Sequence, residues 1–155
     1  MANKGGFSMK KSILLLFSLI LCLILSPRVY AETVEKDKAF IEEGAFMYCS
    51  KLADVEIPKS VKKVGANAFD GCYELERVVL PKKLTTLEKE TFRNCYSLRK
   101  IDLPKSLRTI KAGTFESCGF DQLVILKYVK SIGKNALQVT TKTLKGKMEY
   151  RELEY

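Results

Sequence analysis

The fold class that this chain predicts is a repeat solenoid, β-rich, with short parallel strands stacked coil on coil and joined by short helical or 3-10 turns. Two ladders of identical residues carry that expectation. Phe46, Phe69, Phe92 and Phe115 fall 23 residues apart, and Cys49, Cys72, Cys95 and Cys118 keep the same step. A fixed period of this size marks one short supersecondary unit repeated against itself. A third observation separates the N-terminus from the repeat. Lys10 and Lys11 precede an uncharged run from Ser12 to Ser26, followed by Pro27 and Val29-Tyr30-Ala31.

A basic start, an apolar middle and a small residue at the cleavage point define a secretory signal peptide over residues 1–31. Ile13 to Leu25 is shorter than the ~18–20 residues a spanning helix needs. Cys22 follows Leu21 rather than a small residue, unlike a lipid-modified cysteine. The expectation is therefore cleavage near Ala31 and an exported protein (secreted, periplasmic or cell surface), with no membrane span in the mature chain. The formal charge of the 155 residues is +9. Lys4, Lys10, Lys11 and Arg28 lie in the signal, so residues 32–155 keep 23 basic against 18 acidic residues, a net +5. Residues 32–37 read as a short linker and 38–139 as about four and a half coils. Residues 140–155 match no row and read as a C-terminal cap or frayed tail.

Set in 23-residue rows, the apolar residues fall into columns. Leu52, Leu75 and Leu98 precede Val55, Val78 and Ile101, then Ile57, Leu80 and Leu103. Pro58, Pro81 and Pro104 follow, and Ile41, Val64, Leu87 and Ile110 lie further along the row. Val55-Glu56-Ile57 and Ile101-Asp102-Leu103 alternate apolar with polar, as a strand with one buried face does. Proline then removes a donor and turns the chain. Val61 to Val64 fits a second brief strand or a turn. Gly65 to Cys72 places Ala68, Phe69 and Cys72 at helix-like spacing, which predicts a single helical or 3-10 turn. A fifth row fits if one residue is missing after Gly119, with Leu126 in place of proline.

The row Leu75-x-x-Val78-x-Leu80-Pro81-x-x-Leu84-x-x-Leu87, closing on Phe92-x-x-Cys95, resembles the 23-residue leucine-rich repeat of BspA-like proteins, also called the treponemal type. Val61-x-x-Val64-Gly65-x-x-Ala68-Phe69-x-x-Cys72 is similar to the same pattern. The resemblance implies a curved solenoid of leucine-rich-repeat type with its longer parallel strands on one face. It also implies a surface or secreted protein that binds macromolecules, since characterised relatives are associated with adhesion to host matrix proteins and to other cells.

Three features bear on function. The cysteines, with the phenylalanines, are expected in the structural core. At ~4.8 Å per coil the outer thiols lie ~14 Å apart along a line, so four cannot converge on zinc. Buried thiols acting as small hydrophobes and some disulfide pairing both stay open. Second, Lys59, Lys82, Lys105 and Lys127 form a ladder, with Lys62, Arg108 and Lys130 nearby. It reads either as a solvated corner or as a polyanion site for anionic polysaccharide or envelope. Asp54, Glu56, Glu74 and Glu76 dilute its field. Third, Glu56, Val79, Asp102 and Val124, flanked by Asp54, Arg77, Lys100 and Gln122, should form an outward strand face suited to a protein partner.

Catalysis is not expected. The chain has no histidine, the usual proton carrier and metal ligand. No phosphate-cradling glycine loop appears. No catalytic residue, cofactor or metal is predicted, and no motif for sequence-specific nucleic-acid recognition is present. The sequence reads as an exported, non-catalytic interaction module of adhesion or surface-recognition type. A structural subunit associating end to end is the remaining class, because a solenoid without capping repeats leaves apolar ends.

Overall fold

A computed structural model describes residues 40–138; the expected signal peptide, linker and C-terminal tail lie outside them. Among the described residues there are seven short strands: β1 (Phe40–Ile41), β2 (Asp54–Glu56), β3 (Lys63–Val64), β4 (Arg77–Val79), β5 (Thr86–Leu87), β6 (Thr109–Ile110) and β7 (Ser131–Ile132). All pairing is parallel. One sheet has the order β1-β3-β5-β6-β7, and the other consists of β2 and β4 alone. Val64 faces Leu87 and Leu87 faces Ile110, one repeat apart, whereas Ile110 faces Ile132, so the last row is one residue shorter.

The solenoid is thus present, but its ladders are distributed differently from the expectation. The sheet that runs through all five coils is made by the two-residue strands before the turn. The three-residue strands with the alternating pattern pair in two coils only. Ile101 and Leu103 are buried and Asp102 is exposed, as a strand would have them, yet this segment is not paired with β4. Alternating burial reports which way side chains point, and it does not require the ladder bonds.

The expected helical turn is also replaced. Among the described residues there is no helix. Each of the first four coils instead carries two residues in the left-handed region, four apart: Gly44 and Tyr48, Asn67 and Gly71, Glu90 and Asn94, Gly113 and Ser117; Asn135 takes the same conformation in the fifth. A left-handed residue breaks a helix at once. Between them the amides alternate in direction. Asn67, Phe69 and Gly71 donate to the carbonyls of Lys89, Thr91 and Arg93 in the next coil at 3.0, 2.9 and 2.9 Å, while Asp70 and Cys72 donate within their own turn. Glu90, Phe92 and Asn94 repeat the pattern onto Ala112, Thr114 and Glu116. The coils are therefore laced together through their turns as well as through their strands.

Glycine is required at position 71. Its φ is +74°, and a Cβ there would clash with the ring of Tyr48. Gly71→Ala should lower stability by about 1–3 kcal/mol, read as a fall in the urea midpoint with an unchanged slope.

Inside the coils the apolar columns form one cluster. Phe69, Phe92 and Phe115 are fully buried, and Phe46 at the first coil is half-buried. The rings stack face to face at 5.1, 5.4 and 5.8 Å between centroids, and Phe120 meets Phe115 edge-on at 5.3 Å. No coil could bury its phenylalanine alone, so the stack is held by neighbour contacts.

Candidate functional site: the outward strand face and its two borders

The strand face is built on β2 and β4. Their register sets Asp54 against Arg77, Val55 against Val78 and Glu56 against Val79. Val55 and Val78 point into the core, so Glu56 and Val79 must point out, and both are exposed. The face continues over Asp102, which is exposed, to Val124, which is half-buried. Arg77 Nε donates to Asp54 Oδ1 at 3.0 Å, and Lys100 lies 3.6 Å from Asp102; Gln122 is exposed. Exposed pairs of this kind add about 0–1 kcal/mol. They orient side chains more than they stabilise the fold. Of the eight residues expected on this face, Asp54, Glu56, Arg77 and Val79 lie on the paired strands, whereas Lys100, Asp102, Gln122 and Val124 lie on segments without a ladder.

One border of the face escaped sequence reasoning. Tyr73 and Tyr96 precede the strand positions by a few residues, and their rings stack at 5.4 Å with planes 7° apart, both exposed. The 23-residue step between them was the available signal. Lys51 pairs with Glu74 beside them. The other border is the corner after the prolines, where Lys59, Lys82, Lys105 and Lys127 are all exposed. Arg108 sits 5.6 Å and Lys127 6.0 Å from the ring centre of Tyr128 at its end.

The charges facing the turns are arranged for rigidity. Asp70 is fully buried and accepts from Arg93 Nη2 at 2.8 Å and Asn94 Nδ2 at 3.0 Å. The hydrogen bond to Asp70 holds the Arg93 guanidinium even further above its usual range. Lys111 donates to Glu88 at 2.6 Å and Asn67 to Glu90 at 2.9 Å, again one repeat apart.

The cysteine column belongs to the core. Cys72, Cys95 and Cys118 are free thiols, and Cys49 is buried at the head of the column. Each of the three donates Sγ–H to a phenylalanine carbonyl one coil back: Cys72 to Phe46 at 3.2 Å, Cys95 to Phe69 at 3.3 Å and Cys118 to Phe92 at 3.1 Å. A small apolar group with one weak donor suits that place. Among the described residues no group of three or more metal-ligating side chains converges.

Burial pushes the Cys72 thiol up to about 12, and the neighbouring Cys118 thiol together with burial holds Cys95 well above the usual thiol range. The unfolded thiols ionise near 9. Their contribution to stability is therefore intact below pH 9 and is lost as pH rises towards 12. Urea midpoints should fall more steeply above pH 9 in the parent than in Cys72→Ala/Cys95→Ala; equal slopes would contradict this.

The fold and this geometry define a class first: a parallel-coil solenoid that offers one laddered face with borders of different chemistry. The family profile "BspA type Leucine rich repeat region (6 copies)" matches residues 31–143. The chain belongs to the BspA-type leucine-rich-repeat proteins. It is similar to a leucine-rich repeat protein from Bacteroides ovatus, with 31% identity and a TM-score of 0.62 over 73% of this chain and 29% of that one. The leucine-rich repeat protein of T. pallidum gives 36% identity and a TM-score of 0.60 over 64% of this chain and 47% of that one. A leucine rich cell surface protein from Faecalibacterium prausnitzii shares the fold at 23% identity, with a TM-score of 0.54 over 74% of this chain and 34% of that one. The chain thus spans less than half the length of each of these relatives. No curated protein matches it. Proteins of this repeat class are generally interaction modules rather than catalysts. Among the described residues no helix is long and apolar enough to cross a membrane.

Proposed function

We propose that this protein is an exported, non-catalytic adhesion or surface-recognition module that binds a macromolecular partner, a protein, through the outward face of β2 and β4 and its continuation to Asp102. The observation that carries the reading is the pairing of Glu56 with Val79 and Asp54 with Arg77 on a backbone fixed by inter-coil bonds. A row of mixed charge and exposed valine held rigidly loses little conformational freedom on binding. The N-terminal segment, with its basic start and apolar run before Ala31, supports export with cleavage near that residue.

The test uses a charge swap that leaves the net charge unchanged. Glu56→Arg combined with Arg77→Glu inverts the face in the first two coils. Against a panel of purified host matrix glycoproteins, the parent should bind at least one, and the swap should weaken that binding about tenfold or more. Lys89→Glu, on an exposed turn position, should not. Equal binding by parent and swap would remove this face as the contact.

A further inference from the structure

We propose that the proline corner between the third and fourth coils is a seat for an anionic polysaccharide, contacting a sulfated or carboxylated sugar unit in the cleft between Lys82 and Lys105. The seat adjoins the protein-binding face and shares Val79 and Asp102 with it, but it rests on different observations.

The charge pattern comes first. In segments 58–64, 81–87, 104–110 and 126–132 the cations number three, two, two and two, and there is not a single acid. Lys51, Arg77, Arg93, Arg99, Lys100 and Lys111 each meet a carboxylate elsewhere on the molecule, whereas among the described residues no ion pair engages Lys59, Lys82 or Lys105. Acids and bases are thus mixed over most of the coil and segregated at this corner. Four stacked rows of one sign attract a linear polyanion lying along the solenoid axis.

The cleft comes second. A space of about 460 Å³ opens at this corner, lined by apolar side chains including Val79, Leu103 and Pro104 together with Lys82, Lys105 and Asp102. It opens where the β2–β4 ladder stops. Ile57 N–H donates to Val79 across the earlier coils at 3.0 Å, but among the described residues no backbone hydrogen bond joins 77–80 to 100–103. Ser106 Oγ, bonded to the carbonyls of Lys82 at 2.8 Å and Leu84 at 2.6 Å, ties the two corners together. A volume of a few hundred Å³ matches a small-molecule site.

The chemistry selects among polyanions. An apolar lining with two lysines and a carboxylate acceptor suits a unit with C–H faces, anionic substituents and hydroxyl donors, which is a charged sugar. Polyphosphate and polyglutamate offer no hydroxyl to Asp102. Nucleic-acid bases would need stacking platforms, and the exposed ring of this corner, Tyr128, is already approached by Arg108 and Lys127.

The test is titration of the chain with a sulfated oligosaccharide, polyglutamate and polyphosphate of matched charge at about 0.1 M salt. Lys59, Lys82, Lys105 and Lys127 all changed to Ser should weaken saccharide binding by about 30-fold or more and flatten its salt dependence. Asp102→Ala is the sharper variant. It removes a negative charge, so plain electrostatic attraction would strengthen binding of every probe. A sugar seat requires the saccharide to bind several-fold more weakly while polyglutamate binds equally or more tightly. Tighter saccharide binding by Asp102→Ala overturns the seat, as does polyglutamate or polyphosphate binding the parent as well as the saccharide. Unchanged binding by the lysine variant overturns the site altogether. All five positions are exposed, and a parental melting curve shows that each variant folds.

Discussion

Truncating Phe92 to alanine should lower the unfolding free energy by about 3–5 kcal/mol, the largest effect expected of any single side chain here. The ring is fully buried and lies between two others, 5.4 Å from Phe69 and 5.8 Å from Phe115. Its removal costs the burial of the ring, and the cavity cannot close, because Phe92 N–H is fixed to Thr114 in the next coil at 2.9 Å. Phe46→Ala, at the half-buried end of the stack, should cost clearly less. Thermal or urea unfolding of the two variants measures the difference. Equal small losses would mean that the rings do not carry the stack.

The second large effect is expected at Arg93. Its guanidinium and Asn94 are the side-chain partners of the fully buried Asp70 carboxylate. Arg93→Ala leaves that charge in the protein with one neutral donor, which should destabilise by about 3 kcal/mol. The Arg93 side chain itself is 31% exposed, so water reaching the vacated space limits the loss. Adding Asp70→Asn removes the stranded charge and should recover part of it. A double variant no more stable than Arg93→Ala would show that packing, not charge, sets the cost.

These two positions differ in how far the sequence discloses them. Phe92 stands in a column of identical residues, and identity at a fixed period is what a linear reading detects. Arg93 stands in a column of Met47, Asp70, Arg93 and Glu116, where neighbours are complementary rather than alike. The same holds for Glu88 with Lys111 and for Asp54 with Arg77. Inter-coil ion pairs are written in the step of 23, but as opposite signs.

The turns show a different limit. Gly71, Asn67, Asn94 and Gly113 are residues that tolerate the left-handed region, so they carry a local signal for their conformation. Tyr48, Glu90 and Ser117 do not, yet they take φ of 59°, 55° and 60°. The amides of neighbouring coils impose that conformation, which no local propensity encodes. Ser117→Gly should accordingly raise stability by up to about 1 kcal/mol. The missing ladder at residues 100–103 is legible in neither way. Its apolar and polar residues alternate as in β2 and β4, and the difference lies in backbone hydrogen bonding alone. That gap opens the corner cleft, so the proposed saccharide seat could not be located from the lysine ladder by itself.

Stability resides in the stack of coils, and the proposed recognition in the outward face. The most direct test is to measure the melting temperature and the matrix-glycoprotein binding of the Glu56→Arg/Arg77→Glu variant together. Because both side chains are exposed and the Arg77–Asp54 ion pair that the swap breaks contributes little, the melting temperature should stay within a few degrees of the parent while binding falls about tenfold or more. A melting temperature that falls steeply along with binding, or binding that survives the swap, would contradict it.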